Sequence, residues 1–116
     1  MNAGKIVLFK FPQTDLETGK LRPALVIAKL LGDFDDWLIC MISTKKYQFQ
    51  SKYDEIVPKD SEEFKLSGLK SESIIRSTRL AVVHQDILVG SIGNISDKLL
   101  NKIRLNLSNW IKHPQD

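Results

Sequence analysis

The sequence has little that would support a membrane, secreted or metal-dependent protein. A single cysteine, Cys40, leaves no internal disulfide, and no apolar run approaches the roughly 18 residues of a membrane helix. No charge-free apolar segment of signal-peptide length opens the chain. The two histidines and the cysteine are too far apart for a metal-ligand motif. We therefore expect a cytoplasmic protein with no cofactor, no metal and no membrane partner.

Glycine and proline are also sparse, with six and four residues scattered along the chain. Neither a linker nor a low-complexity tract is indicated, so residues 1–116 are expected to form a single domain. Cys40 lies within an apolar run and is expected to be a buried hydrophobic residue, not a nucleophile. Seventeen Lys+Arg against fourteen Asp+Glu give a net charge of +3, a weak indication of an anionic partner.

Hydrophobic patterning predicts short strands followed by one helix. Predicted strands cover residues 5–11, 23–31, 37–42, 54–57, 73–76 and 80–83, the last continued by 87–88. One helical turn is expected at Ser61–Phe64, capped by Asp60 or Ser61, and a turn at Gly90, Gly93 and Asn94. A long amphipathic helix is predicted from about Ser96 to Lys112. Short strands without βαβ crossovers favour a mainly β fold with a C-terminal α-helix, in which a small, strongly bent antiparallel sheet or barrel packs the helix outside.

The segment from Gly19 to Ile27 is the most informative part of the sequence. Pro23 is tolerated at the first residue of a buried strand, which places Arg22 where a loop becomes that strand. Arginine stays charged and binds phosphate or carboxylate oxygens with a planar fork of donors. Arg22 is thus a candidate phosphate receptor. The alternative is an ordinary surface salt bridge with Glu17.

A basic loop follows the third predicted strand. Lysines interleaved with aromatic rings suit single-stranded nucleic acid, because cations follow the phosphates and rings stack on bases. A solvated surface loop is the alternative. A second basic segment, Arg76–Arg79, would complete a cationic groove if both segments and Arg22 share one face. The candidate RNA-binding residues are Thr44, Lys45, Lys46, Tyr47, Phe49, Thr78 and Arg79.

These features together resemble the MazF/PemK/Kid family of toxin ribonucleases over nearly the whole chain. The resemblance is strongest at Arg22-Pro23 leading into Ala-Leu-Val-Ile, with Glu17 at the family's spacing before the arginine. It extends to the Ile-Ser-Thr strand end, to Ser73-x-Ile-Arg76 and to the terminal helix. Family resemblance implies an SH3-like barrel with a C-terminal helix, usually a homodimer.

The same resemblance implies a metal-independent endoribonuclease that cleaves single-stranded RNA by attack of the ribose 2′-OH on the adjacent phosphorus. By position, Arg22 and Arg76 would bind and neutralise the scissile phosphate. Arg76 also matches the general acid of the Kid-like branch. Ser43, with Thr44, would hydrogen-bond a phosphate oxygen, and Glu17 would order Arg22 or act as the base. A cognate antitoxin with an acidic, partly disordered tail is the implied protein partner, and DNA would be contacted only through it.

One position departs from the family pattern. The Kid-like branch has an aspartate two residues after the arginine that matches Arg76, and this chain has Thr78 there, which cannot serve as a base at neutral pH. His84 is expected to be structural, and His113 to be solvated. The departure keeps an alternative open, namely a non-enzymatic SH3-like binding module, either a gyrase-poison-like protein or a catalytically silent RNA binder.

Overall fold

The protein is described by a computed structural model that covers residues 1–10, 20–50 and 52–114. Its helices and strands, in chain order, are β1 Lys5–Phe9, β2 Arg22–Lys29, β3 Asp36–Ser43, β4 Glu55–Val57, α1 Glu62–Ser67, β5 Ser73–His84, β6 Ser91–Asn94 and α2 Asp97–Lys112. Two 3₁₀ turns, Lys46–Gln48 and Gln85–Ile87, follow β3 and β5. In the described part of the chain, neither α-helix has the length and apolar character needed to cross a bilayer.

The six strands form one curled antiparallel sheet in the order β4-β5-β3-β2-β1-β6. α1 follows the edge strand β4 and packs against β6, the strand at the opposite edge, so it helps to close the curl. The approach is close enough that a Cβ on Gly68, just after α1, would lie 1.9 Å from the Ile92 carbonyl oxygen. The predicted mainly β fold, with a strongly bent antiparallel sheet and a C-terminal helix packed outside, is confirmed.

Side-chain alternation along the strands produces a core on each face of the sheet. The core under α2, the helix-side core, is built around Leu25, Ile27, Cys40, Ile42, Ile75, Leu100, Ile103 and Leu107. The second core, on the opposite face, is built around Val7, Phe9, Ala24, Val26, Trp37, Ile39 and Val83. Arg104 ties α2 to the sheet, because its Nε and Nη2 donate to the Ile27 carbonyl at 3.2 and 2.7 Å.

Both predicted helices are present with the expected serine caps. The Ser96 hydroxyl accepts from the Leu99 N–H at 3.1 Å, and the Ser61 hydroxyl accepts from the Phe64 N–H at 3.2 Å. Glu63 of α1 also accepts hydrogen bonds from the backbone N–H and the hydroxyl of Ser96. The first turns of the two helices are therefore joined directly.

Three predictions about the late part of the chain are wrong. Residues 73–76 and 80–83 form one twelve-residue strand, β5, because both halves pair with β3 across a bulge at residues 77–79. Residues 87–88 do not continue the strand, since Gln85–Ile87 form a 3₁₀ turn. The turn predicted around Gly90–Asn94 contains β6, which pairs with β1 despite its glycine. Pairing between distant segments overrides the local turn preference at both places.

Candidate active site

Three predicted site residues lie on the face of the sheet opposite α2. Arg22 has the same parity along β2 as Ala24 and Val26 of the second core. Ala24 pairs with Met41, and Met41 pairs with Arg76, so Arg76 belongs to that face as well. Ser43 stands two residues after Met41 and pairs with Ile74. Continued by two residues, the β2–β3 register places Arg22 beside Ser43.

Strand spacing sets the scale of this arrangement. Neighbouring strands are about 4.8 Å apart, so β2 and β5, which flank β3, are separated by about 10 Å. Arg22 and Arg76 thus approach the end of β3 from both sides, with Ser43 between them. Two guanidinium groups and a hydroxyl at this spacing can contact one phosphate group and its neighbours, because arginine side chains are long and present several donors.

Neither guanidinium forms an ion pair within 4.0 Å with a residue that the structure describes. The Arg22 side chain is half-buried, and its guanidinium makes no hydrogen bond or ion pair with a residue that the structure describes. Arg76 is also half-buried, and its Nε is buried without a hydrogen-bond partner among residues 1–10, 20–50 and 52–114. Glu17 lies outside the described residues, so its pairing with Arg22 stays a prediction.

The Ser43 hydroxyl organises the start of the basic loop. Ser43 is 7% exposed, donates to Gln48 Oε1 at 2.7 Å and accepts from the Lys45 N–H at 3.1 Å. These bonds tie the end of β3 to the 3₁₀ turn at Lys46–Gln48. A phosphate oxygen would have to compete with Gln48 for the Ser43 proton, whereas the neighbouring Thr44 is exposed.

The rest of the basic loop borders a small pocket on the same face. Lys45, Lys46 and Tyr47 are exposed, with Tyr47 80% exposed, and Phe49 is half-buried. The pocket has a volume of about 170 Å³ and an apolar lining closed at one side by the Lys46–Glu72 ion pair of 3.2 Å. Its lining residues are Lys46, Phe49, Ile56, Glu72, Ser73 and Ile74. Since Ile74 pairs with Ser43, the pocket lies near the end of β3, and Ile74 is two residues from Arg76 along β5.

The second basic segment coincides with the bulge of β5. Thr78 is half-buried and Arg79 is exposed, and both lie where β5 has three residues without a partner on β3. The Ser77 hydroxyl donates to the Tyr53 carbonyl at 2.7 Å, and Asn106 Nδ2 of α2 donates to the same oxygen at 3.0 Å. The bulge beside Arg76 is therefore held by the turn before β4, and this turn is itself hydrogen-bonded to α2.

A buried acidic side chain that was not among the predicted site residues, Asp54, is 4% exposed on this face. Its Oδ2 accepts from the Gln50 N–H at 3.0 Å. Burial raises the pKa of Asp54, while the Gln50 N–H, the Arg76 guanidinium and the Ser77 N–H lower it and Glu55 raises it further. Asp54 has the parity of Ile56, so alternation could assign it to a face of β4, but only the β4–β5 register relates that face to Arg76.

The remaining reactive side chains lie elsewhere. His84, at the far end of β5, accepts from the Asp86 N–H through Nδ1 at 3.1 Å and so caps the 3₁₀ turn Gln85–Ile87. His113 is exposed at the end of α2. Cys40 is fully buried, and burial strongly raises the pKa of its thiol. No group of three or more metal-ligating side chains occurs within the residues that the structure describes.

A family model described as the PemK-like, MazF-like toxin of type II toxin–antitoxin systems matches residues 2–111. The chain belongs to this family. Members of this PemK-like and MazF-like family are known as endoribonucleases. No curated protein matches the sequence significantly.

Solved structures of MazF proteins share this PemK-like fold. One, described as an endoribonuclease in complex with its cognate antitoxin from a mycobacterial species, has a TM-score of 0.66 and 14% identity and covers 98% of this chain and 97% of its own. The toxin MazF-mt6 of Mycobacterium tuberculosis has a TM-score of 0.66 and 14% identity, covering 93% and 96%. MazF of Deinococcus radiodurans has a TM-score of 0.67 and 16% identity, covering 97% and 96%.

Proposed function

We propose that this PemK-like protein is a metal-independent endoribonuclease that cleaves single-stranded RNA. The observation that carries the proposal is the placement of Arg22, Ser43 and Arg76 on one face, with neither guanidinium in an ion pair with a described residue. A structural surface arginine normally has a carboxylate partner or full solvent exposure. Two half-buried arginines held on the two strands that flank β3 instead favour binding of an anionic group.

In the proposed reaction the ribose 2′-oxygen attacks the adjacent phosphorus and the bond to the 5′-oxygen breaks. A base, for which Glu17 is our candidate, accepts the 2′-OH proton, and Arg76 acts as the acid that protonates the leaving 5′-oxygen. Arg22 and Arg76 stabilise the negative charge that develops on the phosphorane oxygens. Ser43 or Thr44 donates to one of those oxygens. The products are a 2′,3′-cyclic phosphate and a 5′-hydroxyl.

The pocket beside Ile74 and the basic loop supply the proposed RNA contacts. Lys45, Lys46 and Arg79 would follow the phosphates, and Tyr47 would stack on an exposed base. The 170 Å³ pocket next to Phe49 would accept a base adjacent to the scissile phosphate.

We further propose a cytoplasmic homodimer that is inhibited by a cognate antitoxin. The support is family membership and the mycobacterial neighbour solved with its antitoxin. An acidic antitoxin segment would bind the face that carries Arg22 and Arg76, because two guanidiniums without a described ion-pair partner attract carboxylates as well as phosphates. DNA would then be contacted only through the antitoxin.

The test is cleavage of a long single-stranded RNA in excess EDTA by protein freed of antitoxin. Wild type is compared with Arg22→Ala, with Arg22→Lys, which keeps the charge but loses the donor fork, and with Lys98→Ala as control, since Lys98 is exposed on α2 away from the site. We expect discrete cuts ending in cyclic phosphate, lowered about 10²–10³-fold by Arg22→Ala and unchanged by Lys98→Ala.

Intact RNA after incubation with folded wild-type protein would overturn the nuclease proposal. A gel-shift measurement on the same RNA then separates the two alternatives. Retained RNA binding that depends on Arg22 would indicate a catalytically silent RNA binder. Absence of RNA binding would indicate a module that binds another protein.

A further inference from the structure

Asp54 is the acidic group closest in register to Arg76. Glu55 pairs with Ile75 across the β4–β5 ladder, so the residue before Glu55 faces the residue after Ile75, which is Arg76. Side chains of directly opposite residues on antiparallel strands have Cβ atoms about 4.5–5.5 Å apart on the same face of the sheet. Glu55 itself points to the other face, where its carboxylate pairs with Lys102 of α2 at 3.1 Å.

We propose that Asp54 is a positioning residue whose ionised carboxylate holds the Arg76 guanidinium toward the scissile phosphate. The inference rests on the proposed ribonuclease function. It supplies the negative charge that Thr78 cannot provide, from a neighbouring strand instead of from β5 itself.

The carboxylate is held rigidly enough to serve this purpose. The Gln50 carbonyl accepts from the N–H groups of Tyr53 and Asp54 at 3.1 and 2.9 Å, while the Gln50 N–H donates to the Asp54 carboxylate at 3.0 Å. Tyr53 is anchored in turn, because its hydroxyl donates to the His113 carbonyl at 3.3 Å and its carbonyl accepts from Ser77. The turn that carries Asp54 is thus fixed to β5 and α2.

The geometry at Arg76 favours positioning over a closed salt bridge. Asp54 lowers the energy of the guanidinium electrostatically, yet no ion pair within 4.0 Å joins the two side chains, and Arg76 Nε has no partner among the described residues. The guanidinium therefore keeps its donors for a phosphate. Asp54 is only 4% exposed, so it acts through Arg76 and does not contact RNA.

A pH dependence follows from the charges around this carboxylate. Arg76 of β5 faces it with positive charge, and Glu55 of β4 adds negative charge but is paired with Lys102 of α2. The Cys40 thiol of β3, whose pKa burial and Asp54 both raise, is fully buried in the helix-side core. Burial raises the pKa of Asp54 above its ordinary value, so protonation begins at a higher pH than for an exposed aspartate. Because protonated Asp54 no longer attracts Arg76, we expect the cleavage rate to fall as the pH is lowered through the pKa of Asp54.

The experiment measures single-turnover cleavage of a fluorogenic RNA oligonucleotide by wild type, Asp54→Asn and Glu55→Gln from pH 4.5 to 8. Glu55→Gln is the matched control, because it removes one negative charge from the adjacent residue on the opposite face. We expect Asp54→Asn to lower the cleavage rate about tenfold or more, because Arg76 would no longer be held in position. The decline in rate at low pH, the acid limb of the pH–rate profile, should disappear in this variant. Glu55→Gln should keep an acid limb but move it to lower pH, because Glu55 raises the pKa of Asp54.

A second readout does not depend on activity. The Nε–Hε resonance of Arg76, assigned from its loss in Arg76→Lys, should shift with pH in wild type and Glu55→Gln but not in Asp54→Asn. An active wild type with an unchanged acid limb in Asp54→Asn, or an Arg76 resonance that titrates identically in that variant, would overturn the inference. An inactive wild type whose Arg76 resonance still follows Asp54 would refute the nuclease proposal while supporting the coupling.

Discussion

Replacing Ser43 by alanine separates a structural from a catalytic role for its hydroxyl. The change removes the donor to Gln48 Oε1 at 2.7 Å and the acceptor for the Lys45 N–H at 3.1 Å. Each hydrogen bond contributes about 0.5–1.5 kcal/mol net, so we expect a loss of about 1–3 kcal/mol in the free energy of unfolding. For a chain of 116 residues this corresponds to a fall in melting temperature of about 4–12 °C.

The assay is thermal unfolding and RNA cleavage of Ser43→Ala, Gln48→Ala and the double variant. If the hydroxyl only orders the loop, both single variants should lose similar activity and the double variant should lose no more. If Ser43 also donates to a phosphate oxygen, Ser43→Ala should be about 10²–10³-fold slower than wild type and Gln48→Ala much less affected. A Ser43→Ala protein with an unchanged melting temperature would refute the hydrogen-bond reasoning itself.

Two further predictions concern stability. Gly68→Ala should lower the free energy of unfolding, measured in urea, far more than Gly32→Ala. Both glycines have a positive φ, which costs about 1–2 kcal/mol for alanine. Only at Gly68 would the new Cβ also collide with the backbone of β6, 1.9 Å from the Ile92 carbonyl oxygen. Equal losses would contradict the close packing of α1 on β6. For Asp54, the folded state binds the proton more tightly than the unfolded state, so its stabilising contribution is full below the ordinary pKa of 3.8 and is lost as pH rises toward the folded value. The stability of wild type relative to Asp54→Asn should therefore fall across that interval, and a constant or rising difference would show that the pKa is not raised.

The two Asp54 predictions have opposite directions, which makes them informative together. Acidification should stabilise the fold, because it removes a buried charge, and should slow cleavage, because it releases Arg76. A stability cost retained at neutral pH is expected of a group that is kept ionised for function. An aspartate with only a structural role would not link the pH dependence of stability to that of the cleavage rate.

Much of the fold was predictable because local signals and tertiary packing agree. The α2 stripe of Leu100, Ile103 and Leu107 recurs at helical spacing and is buried as expected. β2 and β3 differ from the prediction by one or two residues at their ends. The exceptions are the bulged β5 and β6, where polar, basic or glycine-containing segments become strands only because β3 and β1 supply their hydrogen-bond partners.

The candidate site divides in the same way. Arg22 was recognisable because Pro23 and an apolar run mark the start of a buried strand within a few residues. Asp54 was not, because its partner Arg76 lies on another strand, and only the β4–β5 register brings the two together. No spacing along the chain indicates which acid faces which base across a sheet.

The sequence by itself determined the class of fold, the terminal helix and the basic character of the loop after β3, because helical spacing, strand alternation and charge are local properties. Only the tertiary structure decided that Arg22, Ser43 and Arg76 share one face, that the Ser43 hydroxyl is bonded to Gln48, and that Asp54 opposes Arg76. Those facts depend on strand order, on a three-residue bulge and on burial. Each is fixed by contacts between residues far apart in the chain, where a shift of one residue would turn a side chain to the other face.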